Sequence, residues 1–222
     1  MRSSSCSALL AVLSLTATAA FAGQVDMTDP RRAVGTEDNV RIDAQLLREE
    51  VGSSAPVNVT YQIHNGTAAP IAVADKVTDV SFDPESRTLL VSIGAEVPAS
   101  ETMPHLVVIP AGEKRVLSGG ASVHTAGMNV RSPLAAVPRY VQIRVIVLRD
   151  VTRFAALIEA QTKTAVPPRL PNELFDRWVE ASDSVLLNPI PVRWRATPTR
   201  GTAADAGGLD EPAMMAGAGG GK

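Results

Sequence analysis

Between residues 38 and 196 apolar and polar side chains take turns along the chain. Val40, Ile42, Ala44 and Leu46 alternate with Arg41, Asp43 and Gln45. Val57, Val59, Tyr61 and Ile63 alternate with Asn58, Thr60, Gln62 and His64. Val141, Ile143, Val145 and Val147 alternate with Gln142, Arg144 and Ile146. Successive side chains of a strand point to opposite faces, so each segment reads as a strand with one buried and one wetter face. That pattern predicts antiparallel sheet rather than a doubly wound parallel sheet, whose strands are apolar on both sides. Aromatic residues are only 4% of the chain, so the core has to be built from Val, Ile, Leu and Ala.

The punctuation between these segments agrees. Asn65-Gly66 ends one strand with a turn signal. Asp83-Pro84-Glu85-Ser86 offers proline its preferred turn position between strands at 77–82 and 88–93, predicting a hairpin. Pro110-Ala111-Gly112-Glu113 predicts another between 106–109 and 114–117. Residues 118–137, with Gly119-Gly120 and Pro133, read as a long loop holding one short strand at 121–124. Two helical pieces break the period. One is short, at 154–161; the other spans 172–182 behind Pro167, Pro168 and Pro171. In the second, Asn172 suits the N-cap, Glu173 and Asp176 suit the positive first turn, and Leu174, Phe175, Trp178 and Val179 make one apolar face. A last strand at 184–194 contains Pro189 and Pro191, which cannot donate to a ladder and so predict an edge. Eight or nine short strands at regular spacing predict an antiparallel β-sandwich, Ig-like in the broad sense, with one packed amphipathic helix near the C-terminus. A partly closed β-barrel is the alternative.

The two ends set the setting in which this domain works. Arg2, the apolar run 8–15 and the small residues ending Ala20-Phe21-Ala22 form a signal peptide over 1–22, with cleavage expected after Ala22. Its apolar core is shorter than the roughly 20 residues that span a bilayer. No later stretch reaches that length, so no membrane insertion is expected once the signal is removed. Cys6 precedes the apolar run, where a lipid-modified cysteine would follow it, and it is the chain's one cysteine. An exported chain free of disulfides fits a bacterial, Gram-negative periplasm better than a eukaryotic secretory route. The near absence of lysine beside arginine points the same way. Residues 23–37 read as a flexible leader, 38–196 as the folded domain, and the Gly/Ala-rich residues 197–222 as a disordered tail that buries too little to offset its ordering.

Candidate chemistry is sparse. Net charge is −2 with no basic block, which gives nucleic-acid binding no electrostatic support. His64, His105 and His124 show no zinc spacing. Met103, His105, His124 and Met128 are a thioether and imidazole set of the kind that suits copper in an oxidising compartment, and they define a copper-binding alternative. Ser118 before Gly119-Gly120 has no base marked beside it. Glu49-Glu50 and the Asp79/Asp83 pair read as solvated or turn carboxylates, leaving a hydrolase with an unrecognised site as the third reading. Asn58-Val59-Thr60 and Asn65-Gly66-Thr67 match the glycosylation sequon, which carries no meaning in a bacterium. Trp178 and Trp194 both fall in the most distinctive segment and read as core where helix meets sheet. The leading expectation is therefore an exported, non-enzymatic module that binds a protein or a cell-envelope component, with no catalytic, cofactor or metal residues assigned. In a Gram-negative host the chain is expected in the periplasm with Gly23 as its first residue. Intact-mass measurement checks this, and a full-length precursor left in the cytosol contradicts it.

Overall fold

The two-residue turn at Asp38-Asn39, with φ of 42° and 65°, sets the start of the fold. Positive φ at both central positions is the geometry that matches strand twist, and Asp and Asn tolerate it. It joins strand β1 (Arg32–Glu37) to β2 (Val40–Leu46) in register Glu37↔Val40. A computed structural model describes residues 29–52, 55–98, 101–123 and 137–195. The expected signal peptide and tail lie outside these residues. The expected flexible leader is corrected in its second half, because Arg32–Glu37 is a strand. Its short alternation gave little signal, and the turn chemistry at Asp38-Asn39 was the cue. Just before it, Asp29 clips the chain through Arg31 and through Gln45 Nε2, which donates at 2.7 Å. Further along, Arg32 Nη2 donates to Asp43 Oδ1 at 2.6 Å.

The remaining strands are β3 (Glu50–Gly52), β4 (Val57–Asn65), β5 (Ile71–Ala74), β6 (Thr78–Asp83), β7 (Thr88–Ile93), β8 (Leu106–Ile109), β9 (Lys114–Ala121), β10 (Tyr140–Leu148), β11 (Ser182–Leu186), β12 (Ile190–Pro191) and β13 (Arg193–Arg195). One sheet runs β1-β2-β4-β9 and the other β6-β7-β10-β5-β8, with β11 and β12 also paired to β10. The sheets do not close into a barrel, which removes that alternative: β1 and β9 end one, β6 and β8 the other. Pairing is mainly antiparallel, with two exceptions. β10 runs parallel to β7, and β13 runs parallel to β3. The expected last strand at 184–194 is three pieces, interrupted around Pro189 and Pro191 where amide donors are missing.

Inward residues of both sheets, such as Ile42 and Ile63 from one and Val91 and Ile143 from the other, share one buried core. The sheets also touch along an edge. A Cβ on Gly35 would lie 2.6 Å from the Leu186 carbonyl oxygen, so only glycine lets β1 approach β11 this closely. Asn188 N–H donates to Val34 O nearby, at 3.2 Å. Arg149 adds a second tie, donating from Nε to Asp183 at 2.7 Å and from Nη1 to the Asp38 carbonyl at 3.2 Å.

The hairpin expected around Asp83 forms, with β6 antiparallel to β7 and the Asp83 carboxylate accepting from Glu85 N–H and Ser86 Oγ. The one expected around Pro110 does not form. β8 pairs with β5 and β9 with β4, so this turn carries the chain from one sheet to the other. Asn65 holds the crossing. Its side chain, fully buried, donates to the carbonyls of Ala69 at 2.8 Å and Ile109 at 3.0 Å, and accepts from Thr67 N–H and Oγ1. Its backbone donates to Glu113 O and accepts from Gly112 N–H. The segment expected to begin a loop at 118 is instead the end of β9. Gly119-Gly120 hid it, two residues poor in strand propensity that nonetheless pair with Val59 and Asn58 of β4. Replacing Asn65 with Ala is expected to destabilise the chain by about 2–4 kcal/mol, since several buried groups lose partners at once. The urea unfolding midpoint measures this, and a shift within error of wild type contradicts the assigned role.

Candidate functional site

The chemistry-bearing part of the molecule begins on β5. Ile71 and Val73 face the inter-sheet core, while Ala72 and Ala74 face the other way and are equally buried. Together with Leu148 at the end of β10, these alanines form a floor, and small side chains there leave depth for large ones above. Phe154 and Trp178 fill it, edge to face with centroids 5.5 Å apart. Phe154 ends a 3-10 turn (Thr152–Phe154) that runs into helix α1 (Ala155–Lys163), and Trp178 lies on helix α2 (Glu173–Ala181). Helix α2 buries Trp178 fully and Leu174, Phe175 and Ala181 in part. Val179, expected on the docking face, is 46% exposed. Asn172 stands at the cap position, yet its side chain makes no capping bond; its backbone is already helical and its carbonyl accepts from Phe175 N–H.

Beside this second core is a cavity of about 460 Å³. Its walls come from four stretches: Lys76 and Val77; Ala95 and Pro98; Thr102 to His105; and Gln161 with Thr164, Ala165 and Pro167. Most lining groups are apolar. Bonds behind the walls fix their positions. Trp178 Nε1–H donates to the Ala95 carbonyl at 2.8 Å. Gln161 is used at both ends, donating to Pro104 O at 2.6 Å and accepting from Leu106 N–H at 3.2 Å, which ties α1 to the wall before β8. Met103 N–H donates to Pro168 O at 3.0 Å, and Leu170 N–H donates to Glu101 O, closing the far side. Thr164 Oγ1 is directed to the carbonyls of Ala160 and Val166.

Two polar side chains at this cavity remain for a ligand to meet. His105, about half exposed, sets its Nδ1 2.8 Å from Asp75 Oδ1, so the carboxylate fixes the ring and leaves Nε2 on the other side. Lys76, the neighbour of Asp75, is exposed. Tyr61, whose hydroxyl is buried without a hydrogen-bond partner among the described residues, feels the Asp75 charge. Burial pushes its phenol well above the ordinary tyrosine range, and the Asp75 charge adds to that.

Of the copper candidates, Met103 and His105 do meet at this cavity, and Met103 is buried in its wall. His124 and Met128 lie outside the described residues. His64 sits on the other sheet, in register with Arg41 and Lys114. Among the described residues no three His, Cys, Asp or Glu side chains group as a metal site. Glu50 pairs with Arg195, and Asp83 accepts the bonds of its turn. Trp178 is core, as expected; Trp194 is partly buried, packed against the first core. Sequence reading missed Asp75, Lys76, Gln161 and β5 itself. The signal available was the segment 71–74, whose alternation is large and small rather than apolar and polar. No known protein family, curated protein or solved structure matches the chain.

Trp178 both fills the second core and pins Ala95 in the cavity wall. Its replacement by Ala is expected to cost about 3–5 kcal/mol. Thermal unfolding measures the loss, and a value under about 1 kcal/mol contradicts the packing described.

Proposed function

We propose that this chain is an exported, non-enzymatic binding module of the cell envelope, and that it holds its partner component at the cavity beside α1. The observation that carries the reading is the character of the cavity. Its walls are mainly apolar, its polar wall groups Gln161 and Thr164 are already engaged with backbone, and its volume falls in the range of ligand pockets, roughly 300–1,000 Å³. Such a space favours holding an apolar group over transforming one. The exposed side chains Val97, at 57%, and Val166, at 74%, flank lining residues in sequence and widen the apolar area a component could cover.

For the fold we infer two layers of an Ig-like β-sandwich in the broad sense. Support comes from the open sheets that share an inward core and from the chain crossing between them at Asn65. The export reading draws on Arg2, the apolar run and the Ala20-Phe21-Ala22 end of the leader.

Decanol, a neutral apolar probe, tests the site. Titrated into isotope-labelled exported chain, it is expected to shift the amide signals of Val77, Ala95, Met103 and Ala165. Ala165→Trp, a change at an exposed lining residue, is expected to abolish those shifts while leaving the rest of the spectrum in place. Shifts elsewhere, or none, would sink the cavity as the binding site.

A further inference from the structure

We propose that the cavity takes an amphiphile with a single aliphatic chain and a carboxylate head, the chain lying against Ala95, Met103 and Pro167 and the head held by Lys76 beside His105. The proposal rests on the reading of the cavity as the ligand site, and it adds the chemical class of the ligand.

Charge complementarity carries it. Three carboxylates near the cavity already have partners. Asp75 is hydrogen-bonded by the His105 ring at 2.8 Å, Glu101 pairs with Arg169 at 2.5 Å, and Glu159 with Lys163 at 2.6 Å. Glu96 follows Ala95 in the chain, but it neither lines the cavity nor pairs with Lys76. Lys76 lines the cavity and makes no ion pair or hydrogen bond with a described residue. An ammonium on a flexible stem, with no carboxylate bonded to it and at the edge of an apolar space, suits a ligand that is apolar in its body and anionic at one end.

The rest of the lining fixes the body of that ligand. A sugar or nucleotide needs several donors and acceptors along its length, each of which would otherwise lose its hydration. Here both ends of the Gln161 amide and the Thr164 hydroxyl are committed to backbone. The rest of the lining is mainly apolar, with Val77, Ala95, Pro98, Met103, Ala165 and Pro167 beside Thr102. Met103 adds an adaptable thioether, which fits a flexible chain better than a rigid ring system. The Asp75–His105 pair adds a fixed polar edge next to Lys76, so the head group is met on one side only.

Calorimetric titration of the exported chain with monomeric decanoate and with decanol tests this. Decanoate is expected to bind about tenfold more tightly than decanol, the size of one charge-assisted contact at a partly dry site. Lys76→Gln should remove that advantage, and Lys76→Glu should reverse it, while decanol affinity stays at the wild-type value in both. Because Lys76 is exposed and unpartnered, these variants keep the fold, which circular dichroism confirms. Equal binding of the two probes, or decanoate binding indifferent to Lys76, would overturn the acidic head and leave the cavity reading standing. Tighter binding of decylamine than of decanoate would overturn it as well. Failure of every probe to bind would remove both readings.

Discussion

β5 and the last residues of β10 are covered on both faces, and most of the molecule follows from that constraint. A strand buried on one face can leave its other side to water. Ile71 and Val73 point into the inter-sheet core while Ala72 and Ala74 are buried behind them, so something apolar must be laid over the back of the sheet. Helices α1 and α2 and the turn before them are that cover. β10 carries the same demand, with Val145 and Val147 turned to one core and Leu148 to the other. It is also the strand with the most partners: β7, β5, β11 and β12 all pair with it. The cavity opens where the cover ends.

Covering the sheet is possible only because the chain can leave one layer for the other at the right place. Between β8 and β9 it does so across a single buried amide. An Asn in the interior is costly unless its donors and acceptor are all matched, and Asn65 matches them with Ala69, Ile109 and Thr67. Apolar contacts would not fix this crossing, because they do not discriminate one register from the next. The hydrogen bonds of one side chain reach strands 44 residues apart in the chain, which specifies the crossing as well as stabilising it.

What could be read from the sequence and what could not divide along this line. Long strands with one dry face, β2, β4 and the first part of β10, announce themselves by their period. So does the face of α2 around Trp178. Elements with two dry faces do not. Ile71-Ala72-Val73-Ala74 offers no polar residue to mark an outside, and it went unread together with the polar pair Asp75-Lys76 that follows it. Connectivity was illegible for a related reason. Pro110-Ala111-Gly112-Glu113 is a sound turn, and nothing local says whether its two strands pair or part. That decision is made by Asn65, far away in sequence, whose own neighbourhood reads only as a turn. The cavity shared this fate, being assembled from 76–77, 95–98, 102–105 and 161–167.

The way the cavity is held bears on what it is for. An apolar space inside a protein forfeits the dispersion contacts that a filled one would have, and soft walls would close over it. These walls are held in place by polar bonds within the protein: Trp178 to Ala95, Gln161 to Pro104 and Leu106, Met103 to Pro168. Each bond is satisfied whether or not the space is occupied, so the cavity stands ready without relying on a ligand to shape it. Helix α1 meets the cavity through Gln161. It buries none of its own residues fully, and Leu157 and Ile158 are only partly covered. Leu157 and Ile158 pack on the second core and do not line the cavity, so an occupant meets walls that are already formed, and its binding stabilises the folded state in proportion to occupancy. Preformed walls favour a site that takes its ligand with little rearrangement.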